Sequence, residues 1–305
     1  MTPFAIIDIG ANSIKLLVAA PVAGAMQTLR DELRITRLGE GLHDGGRLSD
    51  APMRRTVAAV SDLLALARYF EAKEVVATGT MALRTASNAA EFTAMLHEAT
   101  GLEVEALSGE KEAQLSFAGA VRGLAIPGER LLVFDTGGGS TEIVTGGRSG
   151  LRSAVSLPLG AAFLTEAFLH FDPPSSDELK RLRCHLRDEL AAHLRVGIAD
   201  RVIGVGGTVT TLAAMQLDLE PYDGDRVHGM SLTRGEIEAR LQSLSAMTTL
   251  ARRQLRGLHP QRAAIIVAGV AVAEAVLELT DLDCLTVSDH GLRHGLWWER
   301  FGSDS

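Results

Sequence analysis

The chain has 305 residues, 46% of them hydrophobic and 22% charged, which supplies more than one core and is too apolar for disorder. A net charge of −8 with only 4% aromatics argues against a general nucleic-acid binder and a base-stacking platform, so any phosphate site must be a local basic patch helped by a cation. Cys184 and Cys284 cannot form a disulfide framework, and no leader, zinc spacing or membrane-spanning run is visible, so a cytoplasmic enzyme or binding protein is expected.

The chain opens with an apolar run at 4–7, the turn Asp8-Ile9-Gly10-Ala11-Asn12-Ser13, and a second apolar run at 14–20, the pattern of two short strands joined by a tight turn. Residues 25–38 predict a further strand and 39–46 a loop. Ser49 to Pro52 starts a helix whose apolar stripe is Val57, Val60, Leu63, Leu64 and Ala67. A strand at 74–78 runs into Gly79-Thr80. The next helix begins near Ser87 or Asn88, with Glu91 as capping-box partner, and stops at Gly101. A strand at 102–107 leads to a helix from Ser108 that carries Glu110, Glu112 and Gln114. Residues 123–129 form the candidate linker.

The second half repeats the plan. A hairpin over 131–158 leads through Leu159-Gly160 into a helix, and Ser175 starts another with Glu178 as its partner. A strand from Val202 enters the turn Gly204-Val205-Gly206-Gly207-Thr208 and a helix at 209–215. An apolar helix at 265–279, a strand at 284–287, a turn at 288–291 and a last helix complete the chain. Two α/β domains of common design follow, 1–125 and 126–305, with the last helix at about 291–301 a candidate to pack back on the first.

Asp8-Ile9-Gly10-Ala11-Asn12-Ser13 recurs as Asp135-Thr136-Gly137-Gly138-Gly139-Ser140, an offset of 135 − 8 = 127 that also pairs Lys15 with Glu142. Glycine lets backbone approach a ligand, and consecutive turn N–H groups form an anion site. The Asp at each turn suits a hard cation or its waters. Gly204-Val205-Gly206 lacks the third glycine of a dinucleotide fingerprint, and no Gly-Lys-Ser/Thr phosphate loop occurs.

Taken together, Asp8 to Lys15, Ala77-Thr78-Gly79-Thr80 through Arg84, Ser108-Gly109-Glu110-Lys111-Glu112-Ala113, Phe134 to Glu142, Gly204 to Thr208, Val227-His228-Gly229 and Ser288-Asp289-His290-Gly291-Leu292-Arg293 resemble the exopolyphosphatase/guanosine pentaphosphate phosphatase family. That family belongs to the actin-like, sugar-kinase and Hsp70 ATPase superfamily. Ala11 stands where the family often has Ser, and Thr136 where Ile is usual. The resemblance implies an α/β fold of two similar, ribonuclease H-like domains with an interdomain cleft, a homodimer, and the short family form without added C-terminal helical domains.

On pattern alone Glu112 reads as a solvated helix residue, and Arg84 as a surface arginine. The resemblance implies instead that Glu112 activates water, with Glu110 as its rival, and that Arg84 neutralises the terminal phosphate. Asp8, Asp135 and Glu142 are the expected ligands of Mg2+ or another divalent cation such as Mn2+. Asn12, Ser13, Lys15, Gly137, Gly138, Gly139, Ser140, Gly206, Gly207, Thr208 and Arg293 are the expected phosphate-binding set, with His228 a weaker candidate. The implied activity is hydrolysis of the terminal phosphate of polyphosphate. Guanosine pentaphosphate is the alternative substrate, and a sugar-kinase-like enzyme or a non-catalytic alarmone or polyphosphate sensor is a more distant possibility. Neither nucleic acid nor membrane is expected as a partner.

Overall fold

The computed structural model describes residues 2–124, 126, 130–147 and 149–302. It divides into two compact units, Met1–Leu115 with Leu292–Ser305, and Ser116–Gly291. The division falls inside a helix rather than at 125/126, and of the expected linker, residues 125 and 127–129 lie outside the described ones.

Unit 1 holds β1 (Phe4–Ile9), β2 (Ser13–Val22), β3 (Ala25–Ile35), α1 (Leu42–Gly45), α2 (Asp50–Tyr69), β4 (Val75–Gly79), α3 (Met81–Thr85), α4 (Ala89–Thr100), β5 (Val104–Ala106) and the start of α5 (Gly109–Leu124). Its sheet runs β3-β2-β1-β4-β5, antiparallel on the β2 side of β1 and parallel on the β4 side. Successive side chains of a strand point to opposite faces. Ile7, Ile9, Leu16 and Val18 accordingly join the core with Val60, Leu63 and Leu64 of α2. Ile6, Leu17 and Ala19 instead meet Leu292, Leu296 and Trp297. Coverage of both faces explains why β1 and β2 read as continuous apolar runs.

Unit 2 continues with β6 (Leu131–Thr136), β7 (Thr141–Gly147), β8 (Gly150–Leu157), α6 (Ala161–Phe168), α7 (Ser176–Ala191), β9 (Arg201–Val205), α8 (Gly207–Gln216), α9 (Gly224–Val227), β10 (Ser231–Thr233), α10 (Arg234–Ser245), α11 (Thr249–Arg252), α12 (Ile266–Thr280) and β11 (Cys284–Ser288). The last helix, α13 (Leu292–Phe301), belongs to unit 1. The unit 2 sheet runs β10-β11-β9-β6-β7-β8, with β6, β9 and β11 parallel and β6-β7-β8 an antiparallel meander. An apolar helix such as α12 must be central, and it packs on α6, α7, α8 and α10. In both sheets the glycine turns follow the C-terminal ends of parallel strands, where α/β proteins place ligands.

The Ser175–Glu178 capping box forms. The one expected at Asn88 and Glu91 does not: the buried Asn88 amide bonds Leu48 N–H and C=O at 2.8 and 3.0 Å, and Glu91 pairs with Arg47. Strand 25–38 ends at Ile35, and residues 42–45 of the expected loop form α1. Both cysteines are exposed and unbonded. Among the described residues no helix is long and apolar enough to cross a membrane.

Candidate active site

In unit 1 the first turn closes with Gly10 N–H donating to Ser13 O at 3.0 Å. Asp8, 8% exposed, sits directly opposite Lys15 in the β1–β2 register and opposite Thr78 in β1–β4. A loop braces the turn from outside: Thr36 and Arg37 N–H donate to Asn12 O at 3.1 and 2.9 Å, and Gly39 N–H to Ala11 O at 2.8 Å. Arg37 holds a left-handed φ of 50° to do this, a conformation costly for a residue with a Cβ.

Glu112 lies in the first turn of α5, 7% exposed, whereas Glu110 is exposed and accepts from Gln114. Arg84 on α3 donates through Nη1 to Glu112 Oε2 and to Leu107 O, both at 2.9 Å. A buried carboxylate needs such a partner. The first turn of a helix also favours negative charge. The two helices thus join residues 28 positions apart into one part-buried ion pair.

In unit 2 the second turn closes with the same bond, Gly137 N–H to Ser140 O at 2.9 Å. Here the brace is a helix. Ala161 N–H donates to Gly137 O, and Ala162 and Phe163 N–H donate to Gly138 O, at 2.8–3.1 Å. These are first-turn N–H groups of α6 that have no partner inside the helix. With their carbonyls fixed on α6, the peptides of the turn hold a set orientation. Asp135 and Glu142 are directly opposed in the β6–β7 register, so both side chains share one face. Ser116 donates to Asp135 Oδ2 at 2.6 Å and Ser156 to Glu142 Oε1 at 2.7 Å.

Among the described residues no group of three or more His, Cys, Asp or Glu side chains is placed to hold a metal ion, and of the expected ligands Asp135 and Glu142 are the two that unit 2 brings together. That pair fits Mg2+, an oxygen-seeking ion that binds one or two carboxylates and keeps waters. Hydroxyl groups behind each carboxylate also provide the outer support that metal ligands need.

The third turn caps α8. Gly206 adopts φ 92°, and a Cβ there would meet Thr136 O at 2.6 Å and Asp135 Oδ1 at 2.8 Å, so only glycine fits. Thr208 is buried against Gly269 of α12, which leaves its backbone rather than its hydroxyl to serve the turn. The sequence reading misses Arg262. Its guanidinium lies against Gly207, where any Cβ would overlap it. It makes no hydrogen bond or ion pair among the described residues. Burial pushes its pKa below the usual arginine range, with Tyr222 opposing. A cation on the positive end of a helix calls for an anion.

Two expected basic residues serve other ends. Arg293 donates to Asp31 Oδ1 at 2.7 Å and Leu16 O at 3.1 Å, tying α13 to the sheet. His228 stacks on His290 with centroids 4.3 Å apart, and its Nδ1 accepts from Asp289 N–H. Neither is a bare cation on a rim.

A family model described as the Ppx/GppA phosphatase family matches residues 17–303. The chain belongs to that family. It is 36% identical to exopolyphosphatase 2 of Mycobacterium tuberculosis (strain ATCC 25618 / H37Rv), over 97% of this chain and 98% of the relative. A crystal structure of the Aquifex aeolicus Ppx/GppA family member superposes with a TM-score of 0.83 at 35% identity, covering 98% of this chain and 97% of that one. The structure of an exopolyphosphatase from Cytophaga hutchinsonii gives a TM-score of 0.89 at 25% identity, covering 99% of each chain. The two-domain α/β fold of the Ppx/GppA proteins is therefore the fold of this chain.

Proposed function

We propose that this member of the Ppx/GppA family is an exopolyphosphatase that removes the terminal phosphate of inorganic polyphosphate as orthophosphate. The observation that carries the reading is the buried Glu112 held by Arg84, with exposed Glu110 set apart from it. Glu112 orients a water and takes its proton as the water oxygen bonds to the terminal phosphorus. The P–O bond to the next phosphate breaks, leaving a chain shorter by one unit. Arg84 holds the Glu112 carboxylate and offers a planar donor fork to phosphate oxygens. The backbone N–H groups of Gly137, Gly138, Gly139 and Ser140 hold the phosphate being transferred, and those of Asn12 and Ser13 in unit 1 are a second set of phosphate donors. Lys15 offsets the charge of Asp8, its register partner. Asp135 and Glu142 would hold Mg2+, which would supply charge neutralisation at the phosphate oxygens. The family resemblance adds a homodimer, which sedimentation would read.

Removal of the 5′ phosphate of guanosine pentaphosphate is the second reading. It is favoured by Arg262, a cation at the α8 turn with no ion pair among the described residues, because that substrate carries phosphate at two ends. The deciding experiment measures phosphate release from polyphosphates of several lengths, guanosine pentaphosphate and ATP, with and without Mg2+. Polyphosphate turnover that requires Mg2+ and falls about 10³-fold in Glu112→Gln is expected. Normal turnover in a folded Glu112→Gln variant would sink the assignment of the base.

A further inference from the structure

We propose that Ser116 is a positioning residue that fixes the Asp135 carboxylate toward a divalent cation, an inference that rests on the reading of Asp135 given above. Ser116 is fully buried on α5, one helical turn after Glu112. A serine or threonine inside a helix ordinarily donates to the carbonyl four residues back. Ser61, Thr165, Thr211 and Thr280 all do so in this chain. Ser116 does not. Its one proton goes to Asp135 Oδ2 at 2.6 Å, the length of a charge-assisted bond to a carboxylate.

Glycines flank the rest of the carboxylate. Oδ1 lies against the bare Cα of Gly206, where a Cβ would come to 2.8 Å, and Oδ2 lies 3.4 Å from the Cβ position of Gly291. The Ser116 hydroxyl on Oδ2 orients Asp135, while the bare Cα atoms of Gly206 and Gly291 leave room beside its oxygens. Its remaining lone pairs then meet a cation, or the waters of a cation, without reordering. Such outer partners of metal ligands typically change metal affinity or activity about 10- to 100-fold when removed. The same helix carries Glu112 and Ser116 at i and i+4, so the element that sets the water-activating carboxylate also sets the cation-binding one.

The test compares wild type, Ser116→Ala and Ser116→Thr, with Asp135→Asn as the null for cation binding. Mn2+ binding without substrate is followed by electron paramagnetic resonance, and the Mg2+ concentration for half-maximal phosphate release is measured separately. Folding is checked by circular dichroism. Ser116→Ala is expected to weaken Mn2+ binding and raise the Mg2+ requirement by about 10-fold, with a smaller fall in kcat at saturating Mg2+. Ser116→Thr, which keeps the hydroxyl, is expected to restore affinity. Wild-type Mn2+ affinity in folded Ser116→Ala overturns the proposal, as does a wild-type chain that binds no Mn2+. If Ser116→Ala loses Mn2+ affinity but the wild type releases no phosphate from any substrate, the positioning role stands and the proposed reaction falls.

Discussion

The two Asp-x-Gly turns close on bonds of nearly equal length, 3.0 Å in unit 1 and 2.9 Å in unit 2, but they are braced and charged differently. Three N–H groups of the loop after β3 hold the first, one of them from a residue with left-handed backbone. The first turn of α6 holds the second. Opposite the Asp stands Lys15 in one hairpin and Glu142 in the other. A duplicated turn can therefore be specialised without changing its own closure: one copy is suited to balancing charge, the other to collecting a cation. A helix is also the stiffer brace, because its N–H groups are aligned by the helix itself.

That contrast is open to direct attack. The largest difference is expected at Gly160, where a Cβ would overlap the backbone of Gly138 and Gly139. Gly160→Ala must shift the turn, and displacement on the scale of 1 Å costs about 10²-fold in rate. The equivalent insult in unit 1 is Gly39→Ala, whose Cβ would come to 3.0 Å from the Ala11 Cβ and no nearer than 3.5 Å to the Ala11 backbone. A loss of less than about 10-fold in kcat/KM is expected there, since a methyl on a loop can yield. Equal losses at both positions would erase the distinction between the braces.

Charge should separate the hairpins next. Glu142→Gln is expected to raise the Mg2+ requirement about 10-fold or more. Lys15→Met is expected to raise KM for polyphosphate while leaving the Mg2+ requirement alone. Titrating Mg2+ against each variant checks both, and an altered Mg2+ requirement in Lys15→Met would contradict the division of labour.

The smallest effect concerns stability in acid. Burial opposes ionisation of Glu178, but N–H groups of Ser175, His170 and Phe171 and the Ser175 hydroxyl outweigh it and hold the pKa below its ordinary 4.5. A lowered folded-state pKa stabilises above the unfolded value, and that contribution is lost as pH falls through the folded one. Glu178→Gln is thus expected to lower stability near neutrality and to flatten its decline below about pH 4.5. Denaturant unfolding at several pH values measures this, and an unchanged slope in acid would remove Glu178 from the account.

Much of this was legible before any coordinates. The apolar runs around Asp8 and Asp135, the 127-residue offset and the Ser175–Glu178 box all rest on contacts between near neighbours in sequence. Other features were not. Nothing in the period of residues 216–264 announced α9, β10, α10 and α11, and Arg262 lies in that stretch. Asn88 looked like a cap because its type suits one, and a partner 40 residues away claimed its amide. Arg293 was expected as lining because it ends a motif of the family resemblance, and its partner Asp31 lies 262 residues from it.

The sequence by itself determined two α/β halves, their repeated glycine turns and the carboxylates at the turns, because strands, turns and register follow from local period and from glycine's backbone freedom. Tertiary structure alone decided which carboxylate was buried beside Arg84, which hydroxyl held Asp135 and which arginine stood at the α8 turn. Burial and charge pairing depend on residues brought together from distant parts of the chain, and no window of sequence contains both partners.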